Sequence, residues 1–228
     1  MSNIFLFNYK KIYNEELRKE IEKLSINFKL TKNINESDKN LWNEISKYQK
    51  LSEDFIREFK DKVDWILISK YQKLSENFIR EFKNNVNWTL ISYSQKFSEN
   101  FIREFKDKVD WCFISRVQKL SENFIREFKF NVSWSYISTN QKLSENFIRE
   151  FKDKVYWDYV SLSQNISENF INEFKDKIVW KSLQLNSKLN LSFDFVINNQ
   201  DKFNFEFIKN ITEKFNKKIK LIEIKDLL

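Results

Sequence analysis

Seven tryptophans, Trp42, Trp65, Trp88, Trp111, Trp134, Trp157 and Trp180, stand 23 residues apart, and this spacing constrains the fold more than any other feature. A fixed period of that size marks stacked units, each too small to bury its own apolar face alone. Aligned on tryptophan, the unit reads W-x-x-I-S-x-x-Q-K-L-S-E-N-F-I-R-E-F-K-D-K-V-D. The stretch QKLSENFIREFK recurs unchanged at 72–83, 118–129 and 141–152. Six full copies fill residues 42–179, and a seventh begins at Trp180 and decays after Phe193. Phe203 stands where an eighth tryptophan falls due.

Within one unit the pattern is helical. Phe78, Ile79, Phe82 and Val86 lie at i, i+1, i+4 and i+8, which makes one apolar stripe on a helix. Ser75 is a suitable N-cap, and Leu74 before it can staple onto Ile79. Glu76 with Arg80, and Glu104 with Lys108, are spaced i, i+4 in the favourable order. Asp64, Asn87, Asp110 and Ser133 each precede a tryptophan and can cap a second helix, with Val86 and Ile91 as its staple. Two helices of roughly 8–10 residues joined by short links therefore account for the period. A β-solenoid needs turn signals and alternation of period two, and neither is present. The expected fold is all-α, an α-solenoid of short two-helix repeats with helical caps at both ends.

The expected domains are an N-terminal helical cap over 1–41, repeats over 42–202 and a C-terminal cap over 203–228. Tyr9, Tyr13, Leu17, Ile21 and Leu24 form one face of a helix, L-S-I-N-F at 24–28 echoes L-S-E-N-F, and 33–40 reads as a loop. From Phe205 onward the pattern predicts one or two helices ending in the basic tract Lys217, Lys218, Ile219, Lys220.

The phrase W-x-x-I-S-x-x-Q-x-L-S-x-x-F-I-x-x-F, carried by residues 42–193, resembles the tandem repeats of giant-DNA-virus proteins. That resemblance implies a helical repeat protein from an AT-rich virus. It brings no catalytic residues and no established activity. The composition agrees with an AT-rich genome, since the chain has no Gly, no Pro and no Ala, and Lys outnumbers Arg 33 to 7.

The same absences remove whole classes of chemistry. Without Gly there is no Gly-rich phosphate cradle, dinucleotide fingerprint or nucleophile elbow. Without His there is no histidine base, nucleophile pair or histidine metal site. The single Cys112 precludes an internal disulfide and a Cys-rich zinc cluster. The chain is therefore read as a non-enzyme with no cofactor. No apolar run reaches the ~18 residues of a membrane span, and the first residues lack the marks of a signal peptide. An intracellular protein of the host-cell cytoplasm is the expectation, with its thiol suited to a reducing compartment.

What differs between the copies points to a binding surface. Counting from tryptophan as zero, position one reads Asn43, Ile66, Thr89, Cys112, Ser135, Asp158, Lys181. Position two reads Glu44, Leu67, Leu90, Phe113, Tyr136, Tyr159, Ser182. Position five reads Lys47, Lys70, Tyr93, Arg116, Thr139, Leu162, Leu185, and position six Tyr48, Tyr71, Ser94, Val117, Asn140, Ser163, Asn186. On a helix these columns lie at roughly 100°, 200°, 140° and 240°, opposite the tryptophan, isoleucine, serine and glutamine. The columns of Glu76, Arg80, Glu81 and Lys83 are also expected at the surface yet hardly change, so drift of solvated positions is an incomplete account.

The variable face is also rich in the aromatic and aliphatic groups that favour recognition. The candidate contact residues are Ile66, Leu67, Lys70, Tyr71, Leu90, Tyr93, Phe113, Arg116, Tyr136, Thr139, Tyr159 and Leu162. Trp65, Trp88, Trp111, Trp134 and Trp157 are assigned to the core, the repeated Arg to i, i+4 pairing, and the Ser at position four to close helix packing.

A net charge of +7 invites a nucleic-acid reading, and helical repeats can read RNA. Residues 1–41, 42–180 and 181–228 carry +2, +2 and +3, so the array is nearly neutral. A phosphate-tracking groove calls for a cation at one fixed position of the face, and no column supplies it. A protein partner, host or viral, is the first expectation, a nucleic acid the second, and a structural or decoy role the third.

Overall fold

The computed structural model describes residues 15–16, 19–20, 23–24 and 39–225, the last nine of these in backbone only. Every regular element among them is helical, and the fold is an all-α repeat of the α-solenoid class. By compactness the chain divides into two units, residues 1–110 and 111–228, each described by itself.

In the first unit the Trp-led helices are Lys39–Tyr48, Trp65–Tyr71 and Trp88–Ser94, alternating with the Glu-led helices Glu53–Glu58, Glu76–Glu81 and Glu99–Glu104. Trp65–Tyr71 packs between the other two Trp-led helices. The second unit repeats the plan with Trp111–Val117, Trp134–Asn140, Trp157–Ser163 and Trp180–Leu183, and with Glu122–Glu127, Glu145–Glu150 and Glu168–Glu173. It ends with Phe193–Asn198, a short 3-10 turn over Gln200–Lys202, and the helix Phe205–Lys225. That final helix packs on Phe193–Asn198, with the Phe193 and Phe215 rings 5.2 Å apart.

The helices are shorter than the pattern predicts, seven and six residues rather than 8–10. Phe82 leaves helical geometry, and its carbonyl accepts from both Asn85 and Val86, which folds the end of the predicted helix into a turn. The apolar stripe survives, because Phe78, Ile79, Phe82 and Val86 are all buried. Each fully buried Phe or Ile contributes about 1.5–3 kcal/mol, so the Phe–Ile pair of every Glu-led helix is the main apolar core.

The serine caps form as predicted: Oγ of Ser52, Ser75 and Ser98, and of Ser121, Ser144, Ser167 and Ser192, accepts from the backbone N–H three residues on. Caps on the Trp-led helices are less uniform. Asp64 and Asn87 accept from the first turn. Ser133 makes no such bond; its hydroxyl meets that of Ser135 instead. Tyr156 and Val179, in the same column, have no capping side chain.

What holds one repeat to the next is polar and repeats as strictly as the apolar core. Gln72 lies buried, with Oε1 accepting from the Leu51 N–H (3.1 Å) and Nε2 donating to the Ser46 and Gln49 carbonyls (2.8 and 2.7 Å) of the preceding repeat. Gln95 accepts from Leu74 and donates to the Gln72 carbonyl. In the second unit Gln141 makes the same three bonds to Leu120, Ser115 and Gln118, and Gln164 makes them to Leu143, Ser138 and Gln141.

The serine at position four is a second joint, not merely a small residue. Ser69 donates to the Trp65 carbonyl and accepts from the Asn87 N–H at 2.9 Å. Ser138 does the same with Trp134 and Tyr156. Because this bond uses only the backbone of the residue before tryptophan, that column tolerates Ser133, Tyr156 and Val179.

The acidic and basic residues of the Glu-led helices form the third joint. Glu53 and Glu76 accept from the Ser75 and Ser98 N–H groups at 2.6 Å, and Glu122 and Glu145 from Ser144 and Ser167. The predicted i, i+4 ion pair is the long one, 3.6 Å for Arg80 to Glu76. The short bond runs to the next repeat: Arg57 Nε to Glu81 (2.8 Å), Arg80 to Glu104 (2.7 Å), Arg126 to Glu150 (2.8 Å), Arg149 to Glu173 (2.9 Å). The same guanidinium groups stack about 5 Å from the next repeat's Phe78, Phe101, Phe147 and Phe170. Glu104 is thus engaged by Arg80, while Lys108, beyond the helix end, places Nζ over Trp88.

At the N-terminal side Glu20 takes the part of the missing repeat, accepting from the Ser52 N–H at 2.8 Å and from its hydroxyl. Leu24 is helical and buried, whereas the leucine of L-S-E-N-F lies in the link before a helix. Tyr9, Tyr13, Leu17, Ile21 and the rest of the 24–28 echo lie outside the described residues. Of the loop expected over 33–40, Lys39 and Asn40 are helical and the remainder lies outside them. The side chains of the predicted basic tract, residues 217–220, are likewise outside.

Two outcomes test these joints. Gln141→Leu removes three bonds, to the Leu120 N–H and to the Ser115 and Gln118 carbonyls, so denaturant unfolding should show a loss of about 2–5 kcal/mol. Lys142→Leu, one residue on and exposed, should stay within about 0.5 kcal/mol of wild type. Burial opposes the ionised form of Glu145, but the hydrogen bonds from Ser167 and the charge of Arg149 outweigh it and hold the carboxyl below the usual glutamate value. A lowered native pKa supplies stability at neutral pH that is lost as pH falls through that value. Melting followed from pH 7 into the acid range should therefore fall less steeply in Glu145→Gln, which should start from a lower melting temperature at pH 7.

Candidate binding surface

The variable columns lie where helix periodicity puts them, on the side of each Trp-led helix turned away from its buried Ile or Val and Ser. In the first unit Ile66, Lys70, Tyr71 and Tyr93 are exposed, Ile66 by 59%, Tyr93 by 52% and Tyr71 by 45%. Leu67 and Leu90 are half-buried. In the second unit Arg116, Tyr159 and Leu162 are exposed, and Phe113, Tyr136 and Thr139 are half-buried. Thr139 donates back to the Ser135 carbonyl, and the Arg116 guanidinium lies 5.7 Å from the Tyr136 ring centre.

Three large exposed groups on or next to these columns, Tyr48, Tyr156 and Leu185, are not among the candidates. Tyr48 extends the first unit's face, with Lys47 Nζ 4.6 Å from its ring. Lys47 Nζ also approaches Tyr71 at 5.6 Å, and Lys70 Nζ lies 5.1 Å from the same ring. The Tyr48 side chain beside it raises the Lys47 pKa above the ordinary lysine value. In the second unit Tyr156 stands 6.1 Å from Tyr159, and Leu185 continues the position-five column. Tyr156 was legible as an aromatic residue in a column otherwise holding Asp, Asn or Ser; Tyr48 and Leu185 were in the variable columns themselves.

The tryptophans assigned to the core lie at its edge. Trp65, Trp88, Trp111, Trp134 and Trp157 are half-buried and cover the Phe pair of their own repeat, as Trp65 does at 5.0 Å from Phe82. Their indole N–H groups explain the position: an N–H needs an acceptor, and it finds the carbonyl five residues back, Lys60 for Trp65, Lys83 for Trp88, Lys129 for Trp134, Lys152 for Trp157. Phe78 and Ile79, with no side-chain polar atom to satisfy, are fully buried, and Trp42, also buried, leaves its indole N–H without a partner.

The constancy of Glu76, Arg80 and Glu81 also has a structural cause, since each joins one repeat to its neighbour. Their contrast with the variable columns therefore carries no weight for recognition. What distinguishes the variable face is its chemistry: exposed tyrosines and aliphatics, and cations resting on rings.

Among the described residues no group of His, Cys, Asp or Glu side chains converges to hold a metal ion, and no helix is long and apolar enough to cross a membrane. No protein-family model matches the chain, and no curated protein and no solved structure shows significant similarity to it.

Cys112, at position one of this face, is exposed and is the chain's single thiol. Titration of the folded protein with a maleimide fluorophore should label one site without change in the far-ultraviolet dichroism. Slow labelling that requires denaturant would place this column inside the fold.

Proposed function

We propose that this chain is a non-catalytic repeat scaffold that binds a protein partner through the variable face of its Trp-led helices. The observation that carries the reading is the set of large side chains left in solvent there: Tyr48, Ile66, Tyr71 and Tyr93 in one unit, Tyr159, Leu162 and Leu185 in the other. Tyrosines with a wet hydroxyl and an apolar ring are typical anchors, and a few such groups usually dominate binding energy. The resemblance to viral repeats makes a host or viral protein the natural partner and the host-cell cytoplasm the natural setting.

A nucleic-acid reading has one observation in its favour. Lys60, Lys83, Lys106, Lys129, Lys152 and Lys175 occupy the same exposed turn of six successive repeats. Against it, Asp61, Asp107, Asp153 and Asp176 stand between two lysines in four of these turns and reduce each to a single net positive charge.

Replacing Tyr71, Tyr93 and Tyr159 together by Ser separates fold from recognition. Helicity and melting should be retained, while affinity for a protein captured from host lysate should fall at least tenfold, about 1.4 kcal/mol. Wild-type capture should survive nuclease and high salt. Unchanged affinity in the triple variant, or capture abolished by nuclease, would overturn the reading.

A further inference from the structure

We infer, resting on the reading above, that the partner presents an extended acidic segment to the first unit, with Lys47 and Lys70 as its charge contacts. The two lysines stand at position five of consecutive Trp-led helices and share Tyr71: Lys47 Nζ lies 5.6 Å and Lys70 Nζ 5.1 Å from its ring centre. Lys47 also rests on Tyr48 at 4.6 Å. Neither lysine has a carboxylate within ion-pair distance among the described residues. The arginines of the first unit's Glu-led helices differ, since Arg57 and Arg80 are held by Glu81 and Glu104. A ring attracts an ammonium but accepts no strong hydrogen bond, so the N–H donors directed outward remain for an anion. Ile66 and Tyr93, exposed on the same face, add apolar ground for side chains between the acidic residues.

The geometry also sets a spacing. Both ammonium groups lie within 5.6 Å of one ring centre, so they are at most about 11 Å apart, and adjacent packed helices are about 8–10 Å apart. An extended chain advances about 3.3 Å per residue, which matches acidic side chains two or three residues apart in a peptide that crosses the helices. Single-stranded nucleic acid binds such surfaces by stacking bases on open ring faces. Here the lysines already lie over the Tyr48 and Tyr71 rings and occupy faces on which a base would have to stack. An acidic peptide is therefore the better fit.

A random peptide library panned on the full chain tests this, with the enriched peptides measured by fluorescence anisotropy beside single-stranded polyuridine. Enriched sequences should carry Asp or Glu two or three residues apart with an apolar residue nearby. Their affinity should fall at least tenfold in Lys47→Glu/Lys70→Glu, whose helicity should be unchanged. Should that pair unfold, Lys47→Gln/Lys70→Gln serves, with the same loss expected. Enrichment of neutral or basic peptides, an unchanged affinity in the lysine variants, or polyuridine bound more tightly through the same lysines overturns the inference. Neutral peptides that still depend on Tyr71 and Tyr93 would leave the scaffold reading standing, whereas failure to enrich any peptide counts against both.

Discussion

A primary amide has two donor hydrogens and an acceptor oxygen, and buried without partners it costs several kcal/mol. The repeats place one at the end of the Trp-led helix and satisfy it mostly with backbone groups of the preceding repeat, as Gln72 does with Leu51, Ser46 and Gln49, while Gln95 gives one N–H to its neighbour Ser94. The two carbonyls lie at the end of a Trp-led helix, where they would otherwise lack donors. The short helices and the buried glutamine therefore need each other. A helix this short has little stability alone, and the amide both finishes it and ties it to the next.

The decayed seventh repeat shows how strong that requirement is. Ser187 stands where glutamine is due, and the Trp-led helix shrinks to Trp180–Leu183. Asn186, one residue earlier and one methylene shorter, is buried and donates to the Ser161 and Gln164 carbonyls instead. The helix gives way so that the amide bonds can be kept. The following serine cap, Ser192, comes 25 residues after Ser167 instead of 23, yet Glu168 still accepts its N–H.

The same division governs the surface. Charged groups on the Glu-led helices look solvated, but they are occupied: carboxylates by serine N–H groups of the next repeat, guanidinium groups by carboxylates and phenylalanine rings. Such charge-assisted bonds add to the apolar core and align successive repeats. On the Trp-led helices most outward positions make no such demand, although Ser94 donates to the Ser69 carbonyl and Ser182 to Asp158, and these columns differ from copy to copy. There the cations lie on tyrosine rings, with their hydrogen-bond donors open to solvent.

The 23-residue spacing, the apolar stripes and the serine caps were enough to derive an all-α stack of helix pairs, because each rests on local geometry: 3.6 residues per turn and orphan N–H groups in the first turn. The outward placement of Ile66, Tyr71 and Tyr159 followed from the same periodicity. Other features depend on what lies 18 to 26 residues away, and no local rule reaches that far. Gln72, Ser69 and Arg80 read locally as a polar residue on the buried face, a small residue and an i, i+4 partner. Only the packing of one repeat on the next turns them into the joints of the array. Trp65, Trp88, Trp134 and Trp157 likewise end half-buried because their indole N–H must reach a carbonyl at the surface of the preceding turn, a demand that hydrophobicity alone does not express.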